Sequence, residues 1–226
     1  MSKFISLDIE TTGLDPKQDQ ILSIGIVIED TKNRLPIKDL PFLHLILYRD
    51  RIQGNAFAIN MNRDLIAKIN KYKSLDEDGI TELESTNNEV FVKEFEVVHE
   101  IFEFLSVHNM LDEDINSSPF GDFGKFKNGN WVSSITNNTP VTTLTVAGKN
   151  VAGFDIPFIK TLPNINKVFR FHQRTIDPAI LYMDWENDEV LPNLQTCMGR
   201  AGVEGEVTHS AIQDAIDIIK VLRTTY

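Results

Sequence analysis

Leu7-Asp8-Ile9-Glu10-Thr11-Thr12-Gly13-Leu14 is the stretch from which the fold is read. From Lys3 to Ile9 the residues alternate and are β-prone, the period of a strand. Thr11-Thr12-Gly13, with Asp15-Pro16 behind it, reads as the turn that ends the strand. A period of two points Asp8 and Glu10 to the same face. Phe4, Ile5, Leu7 and Ile9 mark the strand as buried. Two carboxylates side by side in such a setting repel each other and lose solvation, and a cation between them relieves both costs.

Working outward, Ile21 to Glu29 and Phe42 to Tyr48 read as two further strands, so the chain opens with an antiparallel meander. Helical spacing predicts a helix over Asn62 to Tyr72, with Asn62 as N-cap, and another over Val90 to Val107. Val141 to Ala147 and Val168 to Phe171 read as strands. Phe154 to Leu162, Asp177 to Trp185, Asn193 to Ala201 and Ala211 to Arg223 read as helices, and Pro157 is tolerated in the first turn of its helix. A meander followed by alternating elements predicts an α/β fold, a mixed sheet with helices around it. The polar segment from His108 to Asn138 reads as an excursion from it.

The chain has 226 residues, a size that suits a single domain over 1–226 with a polar insertion at about 108–138. No apolar run is long enough to cross a membrane, and the start does not read as a signal peptide. Cys197 is the single cysteine, which excludes an intramolecular disulfide. A cytoplasmic location is expected. The net charge of −11 argues against a protein that coats nucleic acid through a general positive field. It is compatible with an enzyme that holds nucleic acid in one groove.

Two more acids and a histidine complete a pattern. Asp155 opens a helix just after a strand, where α/β sheets place their sites. Ser210-Ala211-Ile212-Gln213 reads as a capping box, which starts the last helix at Ala211. His209 then lies on the entry loop and Asp214 one turn inside, so the two converge. Asp8, Glu10, Asp155 and Asp214 offer hard oxygen ligands for two divalent cations, Mg²⁺ or Mn²⁺. Such a pair activates a water and steadies the leaving oxygen of a phosphodiester. His209 is the group able to take the water's proton near neutrality.

In their order along the chain, three stretches resemble the motifs of the DEDD superfamily of 3′-5′ exonucleases. They are Leu7 to Leu14, Asn150-Val151-Ala152-Gly153-Phe154-Asp155, and His209-Ser210-Ala211-Ile212-Gln213-Asp214-Ala215. The last has the histidine form of the DEDDh subgroup, the group of proofreading subunits and oligoribonuclease-like enzymes. The resemblance implies a ribonuclease-H-like fold: a mixed sheet of about five strands, the second antiparallel, flanked by helices. It implies that Asp8, Glu10, Asp155 and Asp214 are metal ligands and His209 the general base. It places Thr11 against the sugar of a 3′-terminal nucleotide and Leu14 against its base. Asn60, in Ala58-Ile59-Asn60-Met61, matches a segment near the substrate in relatives. Phe154 packs nearby or in the core. Asp177 is read as structural. Asn150 stands where many relatives carry His-Asn closer to the acid.

Substrate contacts beyond the motifs stay open. Arg49 to Lys73 holds six basic residues against Asp50 and Asp64, either a phosphate track or a solvated helix face. Phe120, Phe123, Phe126 and Trp131, with Lys125 and Lys127 among them, either stack bases or pin their own loop. The function expected is release of nucleoside 5′-monophosphates from single-stranded 3′ ends, with DNA favoured. The alternatives are an exoribonuclease acting on short RNA and a polymerase-associated proofreading or accessory module.

Overall fold

The computed structural model describes residues 3–111 and 142–226. The chain runs β1 (Lys3–Thr11), β2 (Ile21–Asp30), β3 (Phe42–Leu47), α1 (Ala56–Met61), α2 (Arg63–Tyr72), α3 (Glu77–Asn87), β4 (Val90–Val92) and α4 (Val97–Val107). After the insertion come β5 (Thr142–Leu144), β6 (Val146–Ala147), α5 (Asp155–Ile159), α6 (Ile165–Val168), β7 (Phe169–Phe171), α7 (Pro178–Leu181), α8 (Leu194–Ala201) and α9 (Ala211–Arg223). The main sheet has the order β4-β3-β2-β1-β6, and β5 and β7 form a parallel pair beside it. β1, β3, β4 and β6 share a direction and β2 alone opposes them. This is the mixed sheet expected, with its second strand antiparallel.

Both faces of the sheet are covered, which is why β2 is buried from Ile21 to Glu29 without alternation. Ile5, Leu7 and Ile9 of β1 share one face with Ile24, Ile26 and Ile28 of β2 and Leu43, Leu45 and Leu47 of β3. There they pack on Val98, Ile101 and Leu105 of α4 and on Ile156 and Ile159 of α5. On the other face Val27 packs under Ala215 and Ile219 of α9, and Leu22 and Ile46 under Ile69 of α2. Asp8 and Glu10 alternate with Leu7 and Ile9 and so belong to the α9 face. Cys197 and Met198 are buried against the same helix.

Four expectations are corrected. The helix read over Val90 to Val107 is a strand and a helix. Val90–Val92 pairs in parallel with β3, and the Lys93 N–H donates to Glu96 Oε2 (2.7 Å), turning the chain before α4 starts. The strand read over Val141 to Ala147 divides at Thr145. β5 pairs with β7, whereas the Thr145 carbonyl accepts from Ile5 N and β6 pairs with β1. The helix read over Asp177 to Trp185 ends at Leu181, because Asp184 draws the Glu186 N–H and the Asn187 amide into a turn. Finally, α1 and α3 are helices that the sequence patterns do not predict. Each starts at a capping side chain, Asn55 on Phe57 N and Asp76 on Gly79 N. α3 is too polar to show a helical stripe.

The insertion read at about 108–138, with Phe120, Phe123, Phe126 and Trp131, lies outside the described residues beyond Leu111. Among the described residues no helix is long and apolar enough to cross a membrane.

Candidate active site

The end of β1 is built to gather acids. β6 is only two residues long and pairs with β1 at Ile5 and Ser6. Beyond it the edge of β1 is open, and Asp155 Oδ1 accepts the Ile9 N–H there at 3.1 Å. On the other side Gly25 of β2 stands opposite Asp8. A Cβ on Gly25 would lie 2.3 Å from the Ala211 carbonyl, so glycine is what lets the start of α9 descend onto the sheet. That approach brings Asp214 over β1. The register shifts between Glu10 and Thr11, where a bulge re-aims the strand as the acids end.

Three stretches far apart in sequence therefore place four carboxylates within reach of one another's charge. Glu10, Asp155 and Asp214 are buried. Asp8 keeps some surface open, yet desolvation and then Asp155, Asp214 and Glu10 raise its pKa well above the usual carboxylate range. Desolvation, then Asp214, pushes Glu10 up to about 8, against the pull of the Asn62 amide. Desolvation raises Asp155 to about 7 against two backbone N–H donors, and raises Asp214 to about 6. Asp214 Oδ1 is a buried oxygen without a hydrogen-bond partner among the described residues. One ligand atom from each of Glu10, His209 and Asp214 lies within 4.8 Å of the others. His209 is exposed on the entry loop, in the left-handed region at φ 53°.

These residues fit a divalent cation. The donors are hard oxygens, one of them an orphan. Among the described residues no lysine or arginine forms an ion pair with any of the four, so no lysine or arginine there offsets their mutual repulsion.

Beside the acids lies a cleft of about 560 Å³ lined by Glu10, Thr11, Leu14, Phe57, Met61 and Phe154, among others. Leu14 (83 % exposed) and Phe57 (76 %) stand at its mouth. Phe154 is the residue before α5 and packs on the Phe158 ring, 5.2 Å between centroids. Thr11 lines the cleft, while its hydroxyl donates to the Gly13 carbonyl at 2.6 Å.

Asn60 is exposed on α1 and is not among the lining residues. The asparagine that reaches the site is Asn62, 3 % exposed, whose amide donates to the Thr11 carbonyl at 3.2 Å and steadies Glu10. It occupies the expected N-cap position, but its side chain makes no capping bond. An asparagine one helical turn from apolar Ala58 was the available signal. The capping box at Ser210 also fails. Ser210 makes no side-chain cap, and the Gln213 amide donates to Asp217 Oδ1 at 2.9 Å. Asp177 is structural, capping α7 at Ala179 N and holding Asn150 N at 2.9 Å.

The basic stretch is partly spent within the protein. Arg49 pairs with Glu94, and Lys68 pairs with the buried Glu89 at 2.6 Å. Lys73 donates to the Asp50 carbonyl. Of the two alternatives, a continuous phosphate track loses these members.

No protein-family profile and no curated protein matches the sequence. Solved structures share its fold. Escherichia coli exonuclease I, in the structure described as suggesting how processivity is achieved, superposes with a TM-score of 0.55 at 11 % identity, over 100 % of this chain and 41 % of that one. The same enzyme with a dA16 oligonucleotide gives 0.54 at 12 %, and with a dT13 oligonucleotide 0.54 at 13 %, both over 100 % of this chain and 41 % of the other. The chain thus spans about two fifths of the length of these neighbours, and the likeness is one of fold.

Proposed function

We propose that the chain is a metal-dependent 3′-5′ exonuclease of the DEDD kind, working as one domain over 1–226 on single-stranded nucleic acid, with DNA favoured. The observation that carries this reading is the convergence of Asp8, Glu10, Asp155 and Asp214 with His209, beside an open apolar cleft. The likeness of fold to an exonuclease solved with DNA oligonucleotides supports it.

Asp8, Glu10, Asp155 and Asp214 would hold the divalent cations. Bound there, such ions supply Lewis-acid polarisation of the phosphodiester and ease ionisation of the attacking water. The carboxylates must be ionised to hold them, so loading releases the protons that burial retains on Glu10 and Asp155. Leu14 and Phe57 offer apolar faces to the terminal base, and the rim of the cleft at Thr11 meets the sugar. His209 accepts the proton of the attacking water. The water oxygen bonds to phosphorus as the P–O bond to the 3′ oxygen of the preceding nucleotide breaks, and that oxygen takes up a proton from solvent. The products are a nucleoside 5′-monophosphate and a strand one residue shorter with a free 3′-hydroxyl.

The test is a set of 5′-labelled single strands, DNA and RNA of matched sequence, with Mg²⁺ or Mn²⁺. A ladder shortening from the 3′ end is expected for DNA, with 3′-phosphorylated and circular strands resistant. Faster shortening of RNA would move the substrate to RNA, and rapid cutting of the circle would show an endonuclease. Activity of the isolated chain would argue against dependence on a polymerase. His209→Asn is expected to lose roughly 10²- to 10⁴-fold in kcat, the range for a general base.

A further inference from the structure

From Lys149 to Ile176 the chain carries five basic residues and one acid, Asp155, in a protein whose net charge is −11. Asp155 is buried at the site, so the surface of this stretch holds cations alone. Lys160, Lys167, Arg170 and Arg174 are all exposed. Among the described residues none of the four enters an ion pair, whereas Arg49 and Lys68 are spent on Glu94 and Glu89. The fold gathers them beside the acids. α5 leads from Asp155 to Lys160, its C-cap, about 8 Å further on at 1.5 Å per residue. The Asn166 amide donates to the Lys160 carbonyl at 2.8 Å and holds α6, with Lys167, against the end of α5. In β7 Phe169 is buried, so the alternation turns Arg170 outward. The chain then returns past Arg174 to Ile176, whose N–H donates to the Val146 carbonyl at 2.9 Å, in the strand that flanks β1. Between Lys149 and Ala179 no large apolar side chain is exposed. Charge without an apolar anchor suits a phosphate backbone, where contacts position a strand without reading its bases. A protein partner needs a desolvated aromatic or apolar anchor, and this face offers none.

We propose that the face carrying Lys160, Lys167, Arg170 and Arg174 is a track for the phosphate backbone of a single strand whose 3′ end lies in the cleft. The strand leaves the acids along α5 and continues over α6 and β7. A dinucleoside monophosphate has no phosphate to lay on this track, because its single phosphate is the one being cut. Long single strands are therefore favoured over short oligonucleotides, which weighs against the short-RNA alternative. The alignment with a 3′ end rests on the nuclease reading above; the affinity of this face for a phosphate backbone does not.

The experiment measures binding of the full chain to a 5′-fluorescent thymidine strand, in chelator so that nothing is cut, across a salt series. A strand of about 20 nucleotides is used, longer than the roughly 4–16 that a single OB fold covers. The variant with Lys160→Gln, Lys167→Gln, Arg170→Gln and Arg174→Gln removes four exposed charges and leaves the core untouched. Each phosphate neutralised on a single strand adds about 0.7 to the slope of log affinity against log salt, so the variant's slope should be shallower by about 3 and its affinity at low salt at least about tenfold weaker. Lys32→Gln with Lys38→Gln, two exposed charges elsewhere, should leave the slope within about 0.5 of wild type. With Mg²⁺ the fourfold variant should lose at least about tenfold in kcat/KM on the long strand through KM, and keep its rate on a dinucleoside monophosphate. An unchanged salt slope would overturn the track, as would equal losses on the long and the short substrate. An oligoglutamate peptide that binds more tightly than the strand, and is lost in the same variant, would give this face to an acidic protein partner and likewise overturn it. A wild type that binds the strand through these cations yet cuts nothing would instead refute the nuclease reading and leave the binding face standing.

Discussion

Glu10, held up at about 8 by burial and by Asp214, weakens the metal-free chain at neutral pH. The native state must keep a proton there that the unfolded chain has already released. Glu10→Gln removes that demand with little change of shape. In chelator at pH 7 the variant is expected to be more stable, by up to about 3 kcal/mol on the scale of 1.36 kcal/mol per pKa unit. Near pH 4.5 the gain should shrink toward zero, and hydrolysis should be lost at either pH. Thermal melts of the two proteins at both pH values decide it. A variant less stable at pH 7 would mean that Glu10 has a stabilising partner outweighing its burial.

At the level of elements, the site depends on two close joints. The first is the crossing of β2 and α9 at Gly25. Gly25→Ala sets a methyl against the Ala211 backbone, which cannot yield like a side chain. The expected cost is about 1–3 kcal/mol or more, with weaker metal binding as α9 lifts Asp214 from β1. The second joint is Asn62, which ties the α1–α2 junction to the end of β1. Asn62→Ala leaves the buried Thr11 carbonyl short of a donor, a loss of about 1–3 kcal/mol. Denaturant unfolding of each variant gives the cost. An Asn62→Ala protein as stable as wild type would show that water replaces the amide.

For the whole molecule, the acids set how stability depends on pH. Asp8, Glu10, Asp155 and Asp214 all have raised pKa values, so between about pH 4 and pH 8 the native chain binds more protons than the unfolded one. Stability of the metal-free protein therefore falls as pH rises through that window. His44 works the other way. Burial and then Lys68 push it down to about 4, so its contribution is lost as pH drops below its ordinary value. Four carboxylates outweigh one imidazole, and the melting temperature in chelator is expected to fall from pH 5 to pH 8. Excess Mn²⁺ should flatten or reverse the slope, since the cation binds the ionised form. A melting temperature in chelator that rises across this range would contradict the raised values.

Local pattern carried a good part of this molecule. The alternation from Leu7 to Glu10 is enough to give β1 and to set its two acids on one face, because a strand's period needs no distant partner. The apolar run of β2 and the stripe of α9 are legible for the same reason. Asp155, Asp214 and His209 stood out as candidates from chain position and motif. Their convergence needed two tertiary facts, the shortness of β6 and the absence of a side chain on Gly25. Tertiary structure alone decided which asparagine reaches the acids, since Asn60 lies on the exposed face of α1 whereas Asn62, at the α1–α2 junction, turns its amide to the Thr11 carbonyl. It also decided the fate of Lys68 and Arg49, whose partners Glu89 and Glu94 lie in the connections on either side of β4. The division at Thr145 had the same origin, because its two flanks pair with strands on different sheets. Periodicity reports how a segment buries itself. It is silent on which remote group will satisfy a buried charge or carbonyl, and at this site those remote pairings set the chemistry.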